Sequence, residues 1–447
     1  MSQLKCQQEH HDIVCIGLGS ATMSLGIKLF ERNSPPDIVF LESQPKVRWQ
    51  PSTDMPGHVH MKSNFLNDLV TLENPRSRFT FIQFLKQRKL LVDFTNLSLM
   101  TPARELFQEY LTWCAKQFEQ HTRFDTRVDA VEPVYSSNTK ISGWSIFTEN
   151  GSRKLYTAKK LLFFVGQEPW LPPILRESMC PSIVHSSHCL EALSKVSKPA
   201  HGRTKIGIIG QTQAAAELFN HLYDVRAERE IVWLVEEASF KVETQTALDA
   251  SNPFFTPETK LPPELRVPKR RSAKPSSEPI DPTLIASIYE NQYYQSVKEA
   301  NSTKWQYRVH FNQKLTNVQP GDDHRVRISH RDNATTSQQV QDFDLLIAAT
   351  GFVRNSPHQL LSGLASKRLL EGSSLDVDAQ YHLNFRRGLI EPDVGLWCIG
   401  TTGDAEIATG DDAFTLMAER STRLAASLAS RTQLSREATD RPIQAQL

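Results

Sequence analysis

"DIVCIGLGSATMSLGIKLFER", residues 12–32, decides the fold of this chain. Its first part, "DIVCIG", is a short, nearly continuous apolar run of β-branched type, the pattern of a strand buried on both faces. The run breaks on Gly17-Leu18-Gly19-Ser20-Ala21-Thr22 and passes into a stretch of helical character. A second strand, "DIVFLE" (37–42), ends in Glu42, 25 residues after Gly17. Strand, glycine turn, helix and acid-ended strand make a dinucleotide-binding βαβ unit. The first glycine permits the tight turn and the second lets the backbone approach a pyrophosphate. The helix N-terminus faces the phosphates, and the acid accepts a hydrogen bond from the ribose hydroxyl.

The same plan returns at "TKIGIIGQTQAAAELFNHLYDV" (204–225), followed by "EIVWLVEE" (230–237) with acids 26 and 27 residues after Gly210. Here the second turn glycine is replaced by Thr212. Two βαβ units about 190 residues apart suggest two dinucleotides, a flavin and a nicotinamide. A late strand, "DFDLLIAATGF" (342–352), is expected to bring the chain back into the first domain, which makes the second unit an insertion. The expected architecture is α/β, with two Rossmann-like dinucleotide-binding domains, an FAD domain and an inserted NAD(P) domain. Residues 1–195 form the first part of the FAD domain and 196–335 the insertion. Residues 336–447 form the return and a substrate-side C-terminal segment. "LPPELRVPKRRSAKPSSEPIDP" (261–282), rich in Pro, Ser and basic residues, reads as an exposed loop.

Length and composition agree. A chain of 447 residues suggests two to three domains. With 39% apolar and 23% charged residues it is ordinary for a globular protein. A net charge of +1 gives no argument for a nucleic acid or membrane partner. The six cysteines, Cys6, Cys15, Cys114, Cys180, Cys189 and Cys398, include no Cys-x-x-Cys pair, so no zinc or dithiol site is expected. Scattered single cysteines fit a reducing compartment. "MSQLKCQQEHHD" has no apolar core of a signal peptide, and no run approaches a spanning helix. A cytoplasmic location is the default. In "TPARELFQEYLTWCAKQF" (101–118), Thr101 is expected as N-cap and Pro102 at the first helical position. Phe107, Leu111, Cys114 and Phe118 fall on one core-facing side.

"FLNDLVTLENPRSRFTFIQFLKQRKLLVDFTNLSLMTPARELFQEYLTWCAKQF" (65–118) closely resembles the flavin-dependent ornithine and lysine N-hydroxylases of siderophore synthesis, the fungal ornithine type nearest. The resemblance continues in "VRWQPSTDMPGHVHMKSNF" (47–65), "SIVHSSHCLEAL" (182–193) and "DLLIAATGFVRNSP" (344–357). It implies an FAD-dependent monooxygenase that uses NADPH or NADH and dioxygen to hydroxylate a primary aliphatic amine through a flavin C4a-hydroperoxide. No triad, metal or paired acids are needed, and no catalytic side chain is assigned. The substrate is a small-molecule amine, and a homo-oligomer stays open.

Carried over by resemblance, the flavin site comprises Gly17, Gly19 and Thr22 of the turn and Glu42 at the ribose. Arg48, Trp49 and Gln50 continue the contact segment. Met61 and Lys62 line the flavin ring, and Val128 stands on the adenine side. Against the family, Ser20 stands for a frequent proline, Gln50 for His and Lys62 for Gln. The nicotinamide turn, which the family writes Gly-Ser-Gly-Gln-Ser-Ala-Ala-Glu, reads Gly210-Gln211-Thr212-Gln213-Ala214-Ala215-Ala216-Glu217. Thr212 is expected to set a branched side chain where backbone should meet phosphate. Glu236 aligns with the arginine that pairs with the NADPH 2′-phosphate, and favours NADH. In the amine pocket Asn67 replaces a carboxylate-binding lysine, and Asn252 appears as in the family. Ser276 falls where an asparagine touches nicotinamide and substrate. Asp411 and Asp412, in "ATGDDAFTL", stand at the flavin and substrate end. L-ornithine, a diamine or another amine without a free carboxylate, and a degenerate flavoprotein with a binding role all remain open.

Overall fold

The computed structural model describes residues 8–47, 60–61, 63–137, 139–148, 155–164, 166–178, 180–196, 203–224, 229–242, 279–301, 305–354, 360–361, 364, 369–370, 377–378, 380–399, 414 and 417–439. The first sheet contains β1 (Gln8–Ile16), β2 (Ile38–Leu41), β3 (Thr122–Arg123), β4 (Val128–Tyr135), β5 (Ile141–Thr148) and β6 (Leu155–Phe164), in the order β3-β2-β1-β6-β5-β4. β1 runs parallel to β2 and β6. It begins before the apolar run of the sequence, because Gln8–His11 pair with Leu155–Ala158 of β6. The helix Ser20–Phe30 returns the chain from β1 to β2 and buries Met23, Leu25, Ile27 and Leu29. Each such side chain contributes about 1.5–3 kcal/mol.

After a short strand β7 (Gln167–Pro169), the second sheet takes in β8 (Ile183–His185), β9 (Thr204–Ile209), β10 (Arg229–Leu234) and β11 (Tyr307–His310). A three-stranded antiparallel meander follows, β12 (Gln313–Pro320), β13 (Val326–Asp332) and β14 (Gln338–Phe343). β15 (Leu345–Ala348) then completes the second sheet in the all-parallel order β11-β10-β9-β15-β8. β16 (Phe352–Arg354) pairs antiparallel with β7, and β17 (Gly395–Ile399) joins the first sheet beside β6.

The domain outline needs two corrections. β15, expected to re-enter the first domain, lies between β9 and β8 in the second sheet. Its run Leu345-Leu346-Ile347-Ala348 is buried throughout, as suits a parallel strand covered on both faces. β8 belongs to the same sheet although it precedes residue 196. The chain re-enters the first sheet with β17, beside β6.

The helix read at 101–118 spans Arg104–Lys116, with Ala103 as N-cap and not Thr101. The Pro102 carbonyl accepts from Met61 N (2.8 Å), and His60 pairs with Ala103, so residues 101–103 stay outside the helix. The core face holds: Phe107, Leu111, Cys114 and Phe118 are buried. They share one cluster with Ile13, Cys15 and Phe40, and Trp144, Ile146, Leu161 and Leu396 build another. The second sheet has its own core around Ile206, Ile208, Phe219 and Trp233. Cys15, Cys114, Cys180, Cys189 and Cys398 are buried thiols. Among the described residues no helix is long and apolar enough to cross a membrane, and no cluster has metal-ligand geometry.

Candidate functional site

The first turn stands at the carboxyl edge of β1. Gly17 has φ +94°, a conformation that favours glycine, and its N–H donates to Leu41 O at 2.8 Å. Gly19, extended at φ −91° and ψ −178°, caps the helix Ser20–Phe30. Among the described residues a Cβ built on Gly19 meets nothing within 4 Å, so they leave on this side of the turn a space a diphosphate would fill. Glu42 reaches the turn directly, with Oε2 accepting from Leu18 N (2.8 Å) and Oε1 from Gln44 N (2.8 Å). Its carbonyl accepts from Thr126 N (2.8 Å), which brings Val128, at the start of β4, towards the same end of the sheet. The residues expected at a pyrophosphate, a ribose and an adenine thus share one edge.

Thr22 is placed differently from a ligand contact. It is fully buried, and its hydroxyl accepts from Gly19 N at 3.0 Å, so it shapes the turn from behind. Met61 is buried in the same cluster as Leu18 and Phe107. Arg48, Trp49, Gln50, Lys62, Asn252, Ser276, Asp411 and Asp412 lie outside the described residues.

Asn67 is half-buried in a loop whose backbone is tightly held. Its neighbour Asp68, 1% exposed, was not anticipated from sequence. Asp68 Oδ1 accepts from Val70 N (2.9 Å) and Thr71 N (2.6 Å). Oδ2 accepts from Thr71 Oγ1 (2.6 Å) and Phe81 N (2.7 Å). Burial pushes the Asp68 carboxyl up, and these bonds pull it back. The signal was present as Asp68-x-x-Thr71, a side-chain-to-backbone turn pattern in a stretch without a helix. The loop also ties to two helices: Ser24 Oγ donates to Leu69 O (2.6 Å), and Ser421 Oγ donates to Ser24 Oγ (2.8 Å).

The second turn is built without its middle glycine. Gly210 has φ +115°, and a Cβ there would lie 2.2 Å from Ala349 O. Thr212, expected to obstruct a phosphate, turns its hydroxyl inward and is 6% exposed. Its Oγ1 donates to Ala349 O (3.0 Å) and accepts from Ala215 N (3.2 Å). It is a helix cap tied to β15, which corrects the expectation. Gln211 Nε2 donates to Ser239 O (2.9 Å), so the loop after β10 lies against the turn. Exposed Glu236 stands in that loop, and Ala214 is partly exposed on the first turn of the helix Gln213–Asp224. Gln213 faces inward, with Nε2 on Glu217 Oε1 (2.8 Å) and Oε1 accepting from Asp281 N (2.9 Å).

Two further features escaped the sequence reading. Arg104 Nη1 donates to Glu217 Oε2 at 2.9 Å, and both residues are buried. Each could have been noticed as a charge among core positions, Arg104 beside Phe107 and Glu217 between Ala216 and Leu218. His185, in the quoted "SIVHSSHCLEAL", places Nε2 2.9 Å from Gly351 O and packs edge-on to Phe352. Burial pulls it down to about 4, so the ring is neutral and Nε2 carries the proton given to that carbonyl.

Comparison with known proteins bears on the family and the fold. The family model for L-lysine 6-monooxygenase/L-ornithine 5-monooxygenase matches residues 9–354. An L-ornithine N(5)-monooxygenase of Ajellomyces capsulatus is 27% identical over 433 residues, covering 94% of this chain and 90% of the relative. The ornithine hydroxylase of Pseudomonas aeruginosa, in its reduced form, superposes with a TM-score of 0.81 at 25% identity, over 95% of this chain and 100% of that one. A cadaverine monooxygenase of Erwinia amylovora, solved with FAD, shares the fold at a TM-score of 0.76 and 21% identity, over 94% of each chain.

Proposed function

The chain belongs to the L-lysine 6-monooxygenase/L-ornithine 5-monooxygenase family, and from that premise we propose that it hydroxylates the terminal nitrogen of a small, ornithine-like amine. The observation that carries the reading is the first turn: space left at Gly19 among the described residues, beside a Glu42 carboxylate already bonded to Leu18 N. Bound FAD, reduced by a nicotinamide, supplies the two electrons that let one atom of dioxygen join the amine nitrogen while the other leaves as water.

The residues then have distinct tasks. The N–H groups at the start of the helix Ser20–Phe30 face the diphosphate, and Gly19 gives it room. Glu42 keeps lone pairs beyond those on Leu18 N and Gln44 N to accept a ribose hydroxyl. Leu18 and Met61 are apolar cover beside the turn and help exclude water. At the second turn the backbone of Gly210–Gln213 takes the nicotinamide diphosphate, because Thr212 has drawn its side chain away. Glu236 accepts from a ribose hydroxyl and repels a 2′-phosphate, which favours NADH. Asn67 donates an uncharged amide towards the substrate carboxylate, a weaker hold than a lysine gives. We assign the inserted domain to the β8–β15 sheet with its meander, and a cytoplasmic location fits its buried thiols.

Purified protein should be yellow, and amine addition should accelerate nicotinamide oxidation with hydroxylamine formed. Colourless protein that takes up no FAD refutes the reading. Asn67 also favours a second reading, hydroxylation of a diamine. Turnover of cadaverine or putrescine above ornithine would select it.

A further inference from the structure

We propose that the buried Arg104–Glu217 ion pair is a latch between the two dinucleotide domains, and that both are positioning residues for flavin reduction. The inference rests on the function proposed above for its consequence, but not for its geometry. Arg104 opens the helix Arg104–Lys116, whose residues Phe107, Tyr110, Leu111 and Cys114 are built into the core of the first sheet. Glu217 lies in the helix Gln213–Asp224, whose Ala215, Ala216, Leu218 and Phe219 belong to the core of the second sheet. The pair therefore joins two separate cores through one contact of 2.9 Å between side chains 11% and 4% exposed.

The contact continues to the nicotinamide turn. Glu217 uses Oε2 for Arg104 and Oε1 for Gln213 Nε2 (2.8 Å). Gln213 is the first residue of the helix that follows the turn, and its Oε1 holds Asp281 N (2.9 Å). Asp281 in turn caps the helix Pro282–Lys298. A displacement of Arg104 is thus passed through two side chains to the start of the helix where a nicotinamide diphosphate would rest.

Stability alone is a weak reason for such a pair, because removing two charges from water offsets most of their attraction. The fit is also incomplete: Arg104 Nε is buried without a hydrogen-bond partner among the described residues. A buried charge pair does confer a single relative placement, since any slip leaves two charges unpaired. Hydride transfer needs that placement, because the donor and acceptor rings are carried by different domains and a 1 Å error costs rate.

The test uses full-length Glu217→Gln, Arg104→Gln and the double variant. On FAD-loaded protein, anaerobic single-turnover reduction is followed at 450 nm with saturating NADH and NADPH. The expected result is a limiting rate lowered roughly tenfold or more in each single variant, with native flavin content and no further loss in the double. Limiting rates within twofold of native, or losses that multiply in the double, overturn the proposal, as a purely structural role would lower melting temperature alone. A second arm needs no cofactor: hydrogen exchange of Glu217→Gln should rise together at residues 104–107 and 213–217. Exchange that rises only around the substituted residue also overturns it. A native protein that never accepts electrons from a nicotinamide overturns the proposed function instead, and the exchange arm still decides the latch.

Discussion

Adding one carbon to Gly19 and to Gly210 should have opposite consequences. At Gly210 the new Cβ would sit 2.2 Å from Ala349 O, 2.8 Å from Ala349 C and 3.3 Å from Thr350 Cα. That oxygen cannot yield cheaply, because Thr212 Oγ1 donates to it and Ala349 N is bonded to Ile209 O. A φ of +115° costs an alanine about 1–2 kcal/mol, backbone overpacking about 1–3 and a broken hydrogen bond about 1. Gly210→Ala should therefore lose about 3–6 kcal/mol, a large part of the roughly 5–15 kcal/mol that holds a domain together. At Gly19 the same carbon meets nothing within 4 Å among the described residues, and φ is −91°. The cost to the bare protein is then that of a poorer N-cap, about 1 kcal/mol or less. What Gly19→Ala should lose is flavin, because its Cβ enters the space a diphosphate needs. The assay is the 450/280 nm absorbance ratio after purification, an FAD titration of stripped protein, and melting of both stripped variants. Gly19→Ala should melt within a few degrees of native and bind FAD at least about tenfold more weakly. Stoichiometric, tightly held flavin in Gly19→Ala, or native melting of Gly210→Ala, would refute the reasoning.

Glu236→Arg should raise NADPH over NADH by about tenfold in kcat/KM, since a repelling carboxylate becomes a phosphate partner; an unchanged ratio shows that Glu236 does not face the ribose. Asn67→Lys should lower KM for ornithine and leave that for cadaverine unimproved, read as oxygen consumption. Asp68→Asn should cost roughly 2–3 kcal/mol in urea unfolding and raise KM for the amine, because an NH2 group would face N–H donors that now meet oxygen. His185 is held near 4 against an ordinary 6.5, so the unfolded chain takes up its proton first. Its contribution is complete above pH 6.5 and falls as pH drops towards 4, by about 3 kcal/mol in all. His185→Gln, which can still donate to Gly351 O, should flatten that part of the pH dependence of the urea midpoint.

The legible parts were local ones. Both glycine turns, the acid at Glu42 and the core stripe Phe107–Leu111–Cys114 follow from periodicity and turn chemistry over a few residues. Strand order did not, because "DLLIA" is equally good β sequence in either sheet and only its neighbours, Thr204–Ile209 on one side and Ile183–His185 on the other, settle it. Thr212 was misjudged because a branched residue can obstruct or cap, and the choice depends on Ala349, 137 residues away. The Asn67 loop hid its support for the same reason: Asp68 is satisfied partly by Phe81 N, and Ser24 and Ser421 arrive from opposite ends of the chain.

The placement of β17 has a consequence for how the protein is made. Lys160–Phe164, the half of β6 nearest the first turn, take Gly395–Ile399 as their outer neighbours. Trp144 also sends its Nε1–H to Gly395 O at 2.9 Å. During translation β1 and β6 emerge early, and then wait for more than two hundred further residues before that half of the ladder can close. The second sheet, complete once residue 348 has left the ribosome, can fold in the interval. The nascent chain therefore passes through a stage with a finished second sheet and an unfinished first one. Slow codons or chaperone binding between residues 348 and 395 should govern how much protein acquires its flavin, with no effect on the affinity of the molecules that do.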